Sequence, residues 1–127
     1  MMHKRNWLLL TAVVGASLWA QNPGVQRTVV KRGDTTVPGR EAIIARVELA
    51  PGASVGRHTH PGIESSYVLE GGFELPVQGQ PTRMLKAGDG FQIPPETPHA
   101  GGKASNEKCR LMINYIVQKG KPLATPV

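Results

Sequence analysis

The sequence predicts an all-β domain built as a small barrel or a two-sheet jelly roll, and three observations lead to this prediction. Short apolar and β-branched runs alternate with Gly, Pro and Asp from residue 25 to residue 118. No stretch with a helical apolar period is longer than the apolar run at the N-terminus. The chain has 127 residues, which is enough for one domain with a single core. Many short strands expose many edges, and a closed barrel or a jelly roll protects them.

Residues 1–20 predict a signal peptide rather than a part of this domain. Lys4 and Arg5 precede the apolar run at residues 7–20, and polar residues follow from Gln21. The run is shorter than the roughly 18 to 20 residues that a membrane-spanning helix needs, so we expect no stable membrane anchor after processing. The chain is therefore expected to be exported, either to the periplasm or out of the cell.

The remaining chain is expected to form an N-terminal arm with an edge strand at residues 21–40 and the barrel domain at residues 41–127. Turn-forming Gly, Pro or Asp residues separate most of the predicted strands. In chain order, the predicted strands are residues 25–31, 40–50, 54–60, 64–70, 73–77, 82–86, 90–93 and 109–118.

Two strands have informative faces. In the strand at 40–50, Ile43, Ala45, Val47 and Leu49 share one face, which predicts a core position. The strand at 109–118 is apolar on both faces apart from Asn114. This predicts burial on both sides, with one face inside the barrel and the other against a flanking strand or a partner subunit, and we expect a homodimer.

Three histidines and one glutamate have the spacing of a metal site. His58 and His60 point the same way on an extended strand, and Glu64 begins the next strand after the Pro61-Gly62 turn. His99 follows much later, as a barrel interior allows. Three imidazoles and one carboxylate suit a transition metal rather than Ca²⁺ or Mg²⁺, which prefer oxygen ligands throughout. Ser66 shares the face of Glu64 and is placed to donate to its carboxylate.

These residues resemble the first motif of the cupin superfamily. The match consists of Gly52, His58-Thr59-His60, Glu64 and Gly71, with the intervening spacings preserved. The resemblance implies a small jelly-roll barrel, also called a double-stranded β-helix, and it extends over residues 41–117.

The second cupin motif is matched by Gly88, Pro94 and His99. Two positions differ from the family pattern. Glu96 stands where glycine is frequent, and Lys103 stands where asparagine is common. If the turn forces Glu96 to a positive φ, the strain costs about 1 kcal/mol.

The resemblance implies that His58, His60, Glu64 and His99 bind one divalent transition metal, which the sequence leaves open among Fe, Mn, Co, Ni, Cu and Zn. It favours a metalloenzyme that acts on a small organic substrate, with a dioxygenase-type reaction ahead of a lyase or isomerase reaction. The alternative is a cupin of the cell envelope that binds a small ligand or a metal without turnover. Glu64 also has a possible acid/base role.

Six residues are candidates for the substrate pocket, although the sequence does not decide which of them face inward. They are Phe73, Met84, Phe91, Met112, Asn114 and Tyr115. Lys and Arg residues are scattered without runs, so no binding to nucleic acid is expected. Cys109 is the single cysteine, which rules out a disulfide within the chain.

Overall fold

The computed structural model describes residues 23–127, and the predicted signal peptide at residues 1–20 lies outside the described residues. Within residues 23–127, no helix is long and apolar enough to cross a membrane. The strands are β1 (Val25–Asp34), β2 (Arg40–Leu49), β3 (Val55–Thr59), β4 (Gly62–Glu70), β5 (Gly72–Leu75), β6 (Arg83–Lys86), β7 (Gly90–Ile93), β8 (His99–Gly101), β9 (Cys109–Gln118) and β10 (Thr125–Pro126).

The strands form antiparallel sheets. A five-stranded sheet has the order β1-β2-β9-β4-β7, a three-stranded sheet has the order β10-β3-β8, and β5 pairs with β6. Strands β2 and β9 are far apart in sequence and pair along their whole lengths, from Arg40 opposite Gln118 to Leu49 opposite Cys109. These crossovers between distant strands give the jelly-roll arrangement, so the predicted all-β class and architecture are confirmed.

The core is made by alternate residues of the long strands. On β2, the predicted inward residues Ile43, Ala45, Val47 and Leu49 are all at most 5% exposed. On β9, every second residue from Cys109 to Val117 is buried in the same way. Full burial of an aliphatic side chain contributes roughly 1.5–3 kcal/mol, so this periodicity of two fixes which face of each strand points inward.

The outer face of β9 is not covered by other strands of the described chain, and its burial against a partner subunit stays a prediction. Met112 is partly buried, Asn114 is exposed, and Ile116 is 42% exposed. Strand β9 is hydrogen-bonded to β2 on one side and to β4 on the other, so its backbone is paired along both edges. Within the described chain, however, this outer face remains accessible to solvent.

Two short strands are absent from the sequence-based prediction. Strand β8 pairs with β3, placing Val55 opposite Gly101 and His58 opposite His99. Strand β10 pairs with the other edge of β3. Each has three residues or fewer and no alternation long enough to be recognised, so pairing with β3 defines them.

Glu96 has the positive φ that the second motif suggests, with a value of 56°. Its side chain is exposed, and its N–H donates to the carbonyl of His60 over 3.0 Å. We expect Glu96→Gly to be more stable than Glu96→Ala by about 1 kcal/mol, because only alanine keeps the β-carbon that is strained in this region. Chemical denaturation of both variants measures the difference. Equal stabilities of the two variants would show that the positive φ at residue 96 causes no measurable backbone strain.

Candidate metal centre

The four predicted metal ligands come together where β3, β4 and β8 meet. His58 lies on β3 directly opposite His99 on β8. His60 follows β3 in the turn, and Glu64 lies on β4. Three of the four, His60, Glu64 and His99, are at most 4% exposed, while His58 is partly buried.

The side chains converge closely. One nitrogen from each of His58, His60 and His99 lies within 4.8 Å of the others. Glu64 Oε1 lies 3.0 Å from His60 Nε2 and 3.3 Å from His99 Nε2. Ligand atoms bound at roughly 2.1 Å to a single ion are separated by about 3.0–3.4 Å, which agrees with both contacts of the carboxylate.

Backbone carbonyls set the orientation of all three imidazoles. Nδ1 of His58 lies 2.7 Å from the Gly56 carbonyl, Nδ1 of His60 lies 2.7 Å from that of Leu123, and Nδ1 of His99 lies 2.9 Å from that of Thr97. A carbonyl oxygen only accepts hydrogen bonds, so each Nδ1 carries the proton and donates. In a neutral ring, Nε2 then holds a lone pair, and these are the atoms that face Glu64 or one another.

The charges in the centre follow from burial and from these neighbours. Burial lowers the pKa of His58 to about 4, and His99 and His60 add to this shift, so its ring is neutral at pH 7. Burial alone would raise the pKa of Glu64, but the imidazoles of His60 and His99 bring it well below the usual value. The centre therefore combines the Glu64 carboxylate with the imidazoles of His60 and His99 and the neutral imidazole of His58.

This arrangement fits a metal ion. Nε2 of His60 and Nε2 of His99 are buried and make no hydrogen bond within the described residues. Each lies against a carboxylate oxygen, and a cation bound between them would satisfy both the imidazole nitrogens and the carboxylate. Nitrogen ligands with one carboxylate match a divalent transition metal. Hydrogen bonds from Nδ1 to carbonyls are the outer contacts that usually orient metal-binding histidines.

The second oxygen of Glu64 is also engaged. Ser66 Oγ donates to Glu64 Oε2 over 2.8 Å, which is the contact that the shared strand face predicts. One carboxylate oxygen thus faces the imidazoles while the other is held by a hydroxyl. This geometry suits a fixed ligand. A separate acid/base role for Glu64 stays a prediction.

The C-terminal segment contributes to the centre, because Leu123 provides the carbonyl that orients His60. We expect removal of residues 123–127 to weaken metal binding by about 10- to 100-fold, the range usual for loss of an outer contact to a ligand. Competition with a chromogenic chelator measures this change. Removal of Val127 alone is the control and should leave affinity unchanged. Equal affinity of both truncated proteins would exclude an orienting role for Leu123.

A cavity of about 50 Å³ reaches the metal centre, and its walls are mostly apolar. By the measure under which one water needs about 10–15 Å³, it has room for a ligand of only a few heavy atoms. Three predicted pocket residues, Phe73, Phe91 and Tyr115, line it together with His58, Glu64 and His99. The other lining residues are Val25, Arg27, Val47, Val55, Leu75, Ala100, Gly101, Leu111 and Ile113.

The other three predicted pocket residues lie elsewhere, and the pocket prediction is corrected for them. Met84 is 69% exposed because its neighbour Leu85 occupies the inward position on β6. Met112 and Asn114 alternate with buried Tyr115 on β9, so they point to the outer face. There they line a shallow surface groove.

Tyr115 links the cavity wall to the metal centre. Its ring centroid lies 4.8 Å from that of His60, and its side chain is 1% exposed. Burial raises the pKa of Tyr115, the charge of Glu64 adds to the increase, and Arg27 opposes it. Tyr115 is therefore a neutral phenol at physiological pH.

Two contributors to the site are absent from the sequence-based prediction. The Leu123 carbonyl is a backbone group, and no side-chain pattern marks it. Arg27 lines the cavity from β1. The sequence does carry a signal for Arg27. Strand alternation places it on the same face as Val25, so it is a charged residue on a face that points inward.

Comparison with known sequences identifies the family. A sequence profile of the cupin domain matches residues 45–115, which include all four residues of the centre. The chain belongs to the cupin family. Germin-like protein subfamily T member 3 of Arabidopsis thaliana is 33% identical to this cupin over 85 residues. The match covers 61% of this chain and 37% of the relative, so the chain spans little more than a third of that protein's length.

Solved structures agree with this assignment. A cupin-like protein from Thermotoga maritima superposes with a TM-score of 0.64 at 27% identity, over 81% of this chain and 75% of that chain. Oxalate oxidase in complex with the substrate analogue glycolate superposes with a TM-score of 0.60 at 21% identity, over 76% of this chain and 60% of the other. At that identity, the second likeness shows the fold alone.

Proposed function

We propose that this cupin is a metalloenzyme that binds one divalent transition metal through His58, His60, Glu64 and His99 and acts on a small organic molecule. The observation that carries the proposal is the convergence of three imidazoles and a buried carboxylate at an apolar cavity. When bound, the ion supplies Lewis acidity toward an oxygen of the substrate and, if it is redox-active, access to dioxygen chemistry.

The surrounding residues have separable roles in this proposal. Apolar walls that include Phe73, Phe91 and Leu111 exclude water from the substrate. Ser66 holds Glu64 in place, and the backbone carbonyls hold the imidazoles. The small cavity selects substrates of a few heavy atoms. We place a dioxygenase-type reaction first and a lyase or isomerase reaction second; the oxalate oxidase of similar fold is a precedent for oxidation in such a barrel.

The decisive experiment asks whether the bound ion keeps an exchangeable position. Protein loaded with Mn²⁺ is examined by water proton relaxation and then assayed for oxygen consumption and anaerobic product formation with small hydroxy acids, dicarboxylic acids and diketones. Fast water exchange with turnover of a substrate would support the enzyme. A tightly bound ion without exchangeable water would contradict it and favour the non-catalytic, metal-binding alternative.

We also propose that two copies associate through the outer face of the five-stranded sheet. The exposed fraction there is 40% for Ile44, 51% for Tyr67 and 42% for Ile116, and Met112 lies among these side chains. Burying such a patch is favourable, at about 25 cal/mol per Å² of apolar surface. Light scattering should give a dimer mass for the native chain and a monomer mass for Ile116→Lys. A native monomer at micromolar concentration would rule out this pairing.

Export is proposed from the sequence of residues 1–20. Metal acquired outside the cytosol would be selected largely by intrinsic affinity, which favours Cu and Zn over Mn and Fe. The mass of the chain recovered from the cell envelope tests the proposal. A mass lowered by about 20 residues agrees with cleavage of a signal peptide, whereas full-length chain confined to the cytosol disagrees.

A further inference from the structure

Residues 119–127 form a C-terminal strap that lies along the strand carrying His58. The chain turns back after β9, and β10 pairs with the edge of β3 that β8 does not occupy. This pairing places Pro126 opposite His58. Beyond β10, the N–H of Val127 donates to the Arg57 carbonyl over 3.2 Å. The strap therefore follows β3 at the point where the strand enters the metal centre.

Two contacts join the strap to residues of the centre. The Leu123 carbonyl accepts a hydrogen bond from Nδ1 of His60, with 2.7 Å between the two atoms. This bond leaves Nε2 of His60 as the ring nitrogen that faces Glu64. The pairing of β10 with β3 supports the backbone at His58. The docked strap thus helps to present two of the four residues that would hold the ion.

The strap has few other contacts to keep it docked. Strand β10 has two residues, and Pro126 has no N–H to donate to the ladder. Thr125, Pro126 and Val127 are exposed, and Leu123 is only partly buried where it packs against the core. Terminal segments with so little buried surface open locally at low free energy. A modest change in binding energy at the metal centre is enough to shift such an equilibrium.

We infer that the strap responds to the metal centre: a bound ion holds the strap docked on β3, and loss of the ion releases it. An ion on Nε2 of His60 fixes the ring in the orientation that the Leu123 carbonyl also favours, so each contact supports the other. Such coupling is reciprocal, because the factor by which docking tightens metal binding equals the factor by which the metal tightens docking. The inference rests on the ion of the proposed function and goes beyond it by assigning a conformational response to metal occupancy.

The test compares amide hydrogen exchange, followed by NMR, in the metal-free chain and in the chain loaded with diamagnetic Zn²⁺. In the metal-free chain, the Val127 amide should exchange much faster than the amides of β2, which pair with β9 and are expected to open only on global unfolding. Zn²⁺ should slow the exchange of Val127 by roughly 10- to 100-fold. Reciprocity requires the same factor for the loss of Zn²⁺ affinity when residues 123–127 are removed.

A side-chain variant separates docking from sensing of the ion. Leu123→Ala removes packing against the core but keeps the carbonyl that contacts His60. It should speed the exchange of Val127 by the same factor in both states and leave the ratio between the states unchanged. Val37→Ala is the matched control, because Val37 is an exposed residue between β1 and β2, and it should change neither rate. Native exchange of Val127 in Leu123→Ala would contradict docking of the strap as a unit.

Failure of this inference is distinguishable from failure of the proposed function. Equal exchange of Val127 with and without Zn²⁺, at full Zn²⁺ content, would overturn the coupling and leave the metal centre intact. A native chain that binds no Zn²⁺ or other transition metal would overturn the metal centre itself, and with it the inference.

Discussion

Replacement of His60 by alanine is expected to remove the metal from this cupin. The native chain should carry about one divalent transition metal, measured by elemental mass spectrometry after purification or reconstitution. His60 supplies a buried Nε2 that lies 3.0 Å from Glu64 Oε1, and its Nδ1 is anchored by the Leu123 carbonyl. Loss of a direct ligand should exceed the roughly 10- to 100-fold cost of losing an outer contact, so metal content should fall close to zero.

The stability of the same variant should also decrease. Glu64 is a buried carboxylate, and it loses one of the two imidazoles that lower its pKa. Leaving a buried polar group without its partner typically costs about 1–3 kcal/mol, and more when the group is charged. His60→Gln fills more of the space left by the ring and keeps the test interpretable if His60→Ala does not fold. Gln92→Ala changes an exposed side chain whose hydrogen bond is to Ser65, and it should retain the metal.

Two results would contradict the metal centre. One is equal metal content in the native chain and in both His60 variants. The other is a native chain that binds none of Fe, Mn, Co, Ni, Cu and Zn after reconstitution. The second result would leave a metal-free barrel in which Nε2 of His60 and Nε2 of His99 contact Glu64 directly.

Replacement of Gly62 by alanine is the second change with a large expected effect. Gly62 begins β4 opposite Val117, midway between His60 and Glu64 in sequence. An added β-carbon would collide with the Ile116 carbonyl oxygen and would lie 2.6 Å from Val117 Cα. Both are backbone atoms of β9, which is paired on both sides and cannot move away easily.

We expect Gly62→Ala to lower the free energy of unfolding by about 2–3 kcal/mol, the upper part of the range for overpacking. Displacement of β4 should also separate Glu64 from His60 and reduce metal affinity. Gly33→Ala is the matched control, because an added β-carbon there meets nothing within 4 Å. Urea denaturation of both variants measures the difference. If Gly62→Ala had the same urea midpoint as the native chain, β4 and β9 would be able to move apart without loss of stability.

Much of the fold could be predicted because it follows from patterns of residues that are close together in the sequence. The buried face of β2, from Ile43 to Leu49, follows from an alternation of period two. Turns at Gly71 and Gly88 follow from glycine, and both residues have positive φ. The predicted ligands could be chosen for the same reason, since His58, His60 and Glu64 lie within seven consecutive residues.

Short elements and long-range contacts could not be predicted in this way. Strands β8 and β10 are too short to carry a periodic pattern, and pairing with β3 defines them. The Leu123 carbonyl reaches His60 only because the C-terminal segment returns to β3. Met112, Asn114 and Tyr115 all lie on one strand, and only the packing of β9 decides that Tyr115 faces the cavity while the other two face outward.

The sequence by itself predicted the all-β class, the family resemblance and the four residues of the candidate metal centre. Spacing along the strands brings His58, His60 and Glu64 together, and the resemblance to the second cupin motif adds His99. Tertiary structure alone decided the size of the cavity, the hydrogen bonds that orient the imidazoles, and the approach of Arg27 to Tyr115. Each of these depends on the register between strands that are distant in sequence, and register is set by how the buried faces of all the strands pack against one another.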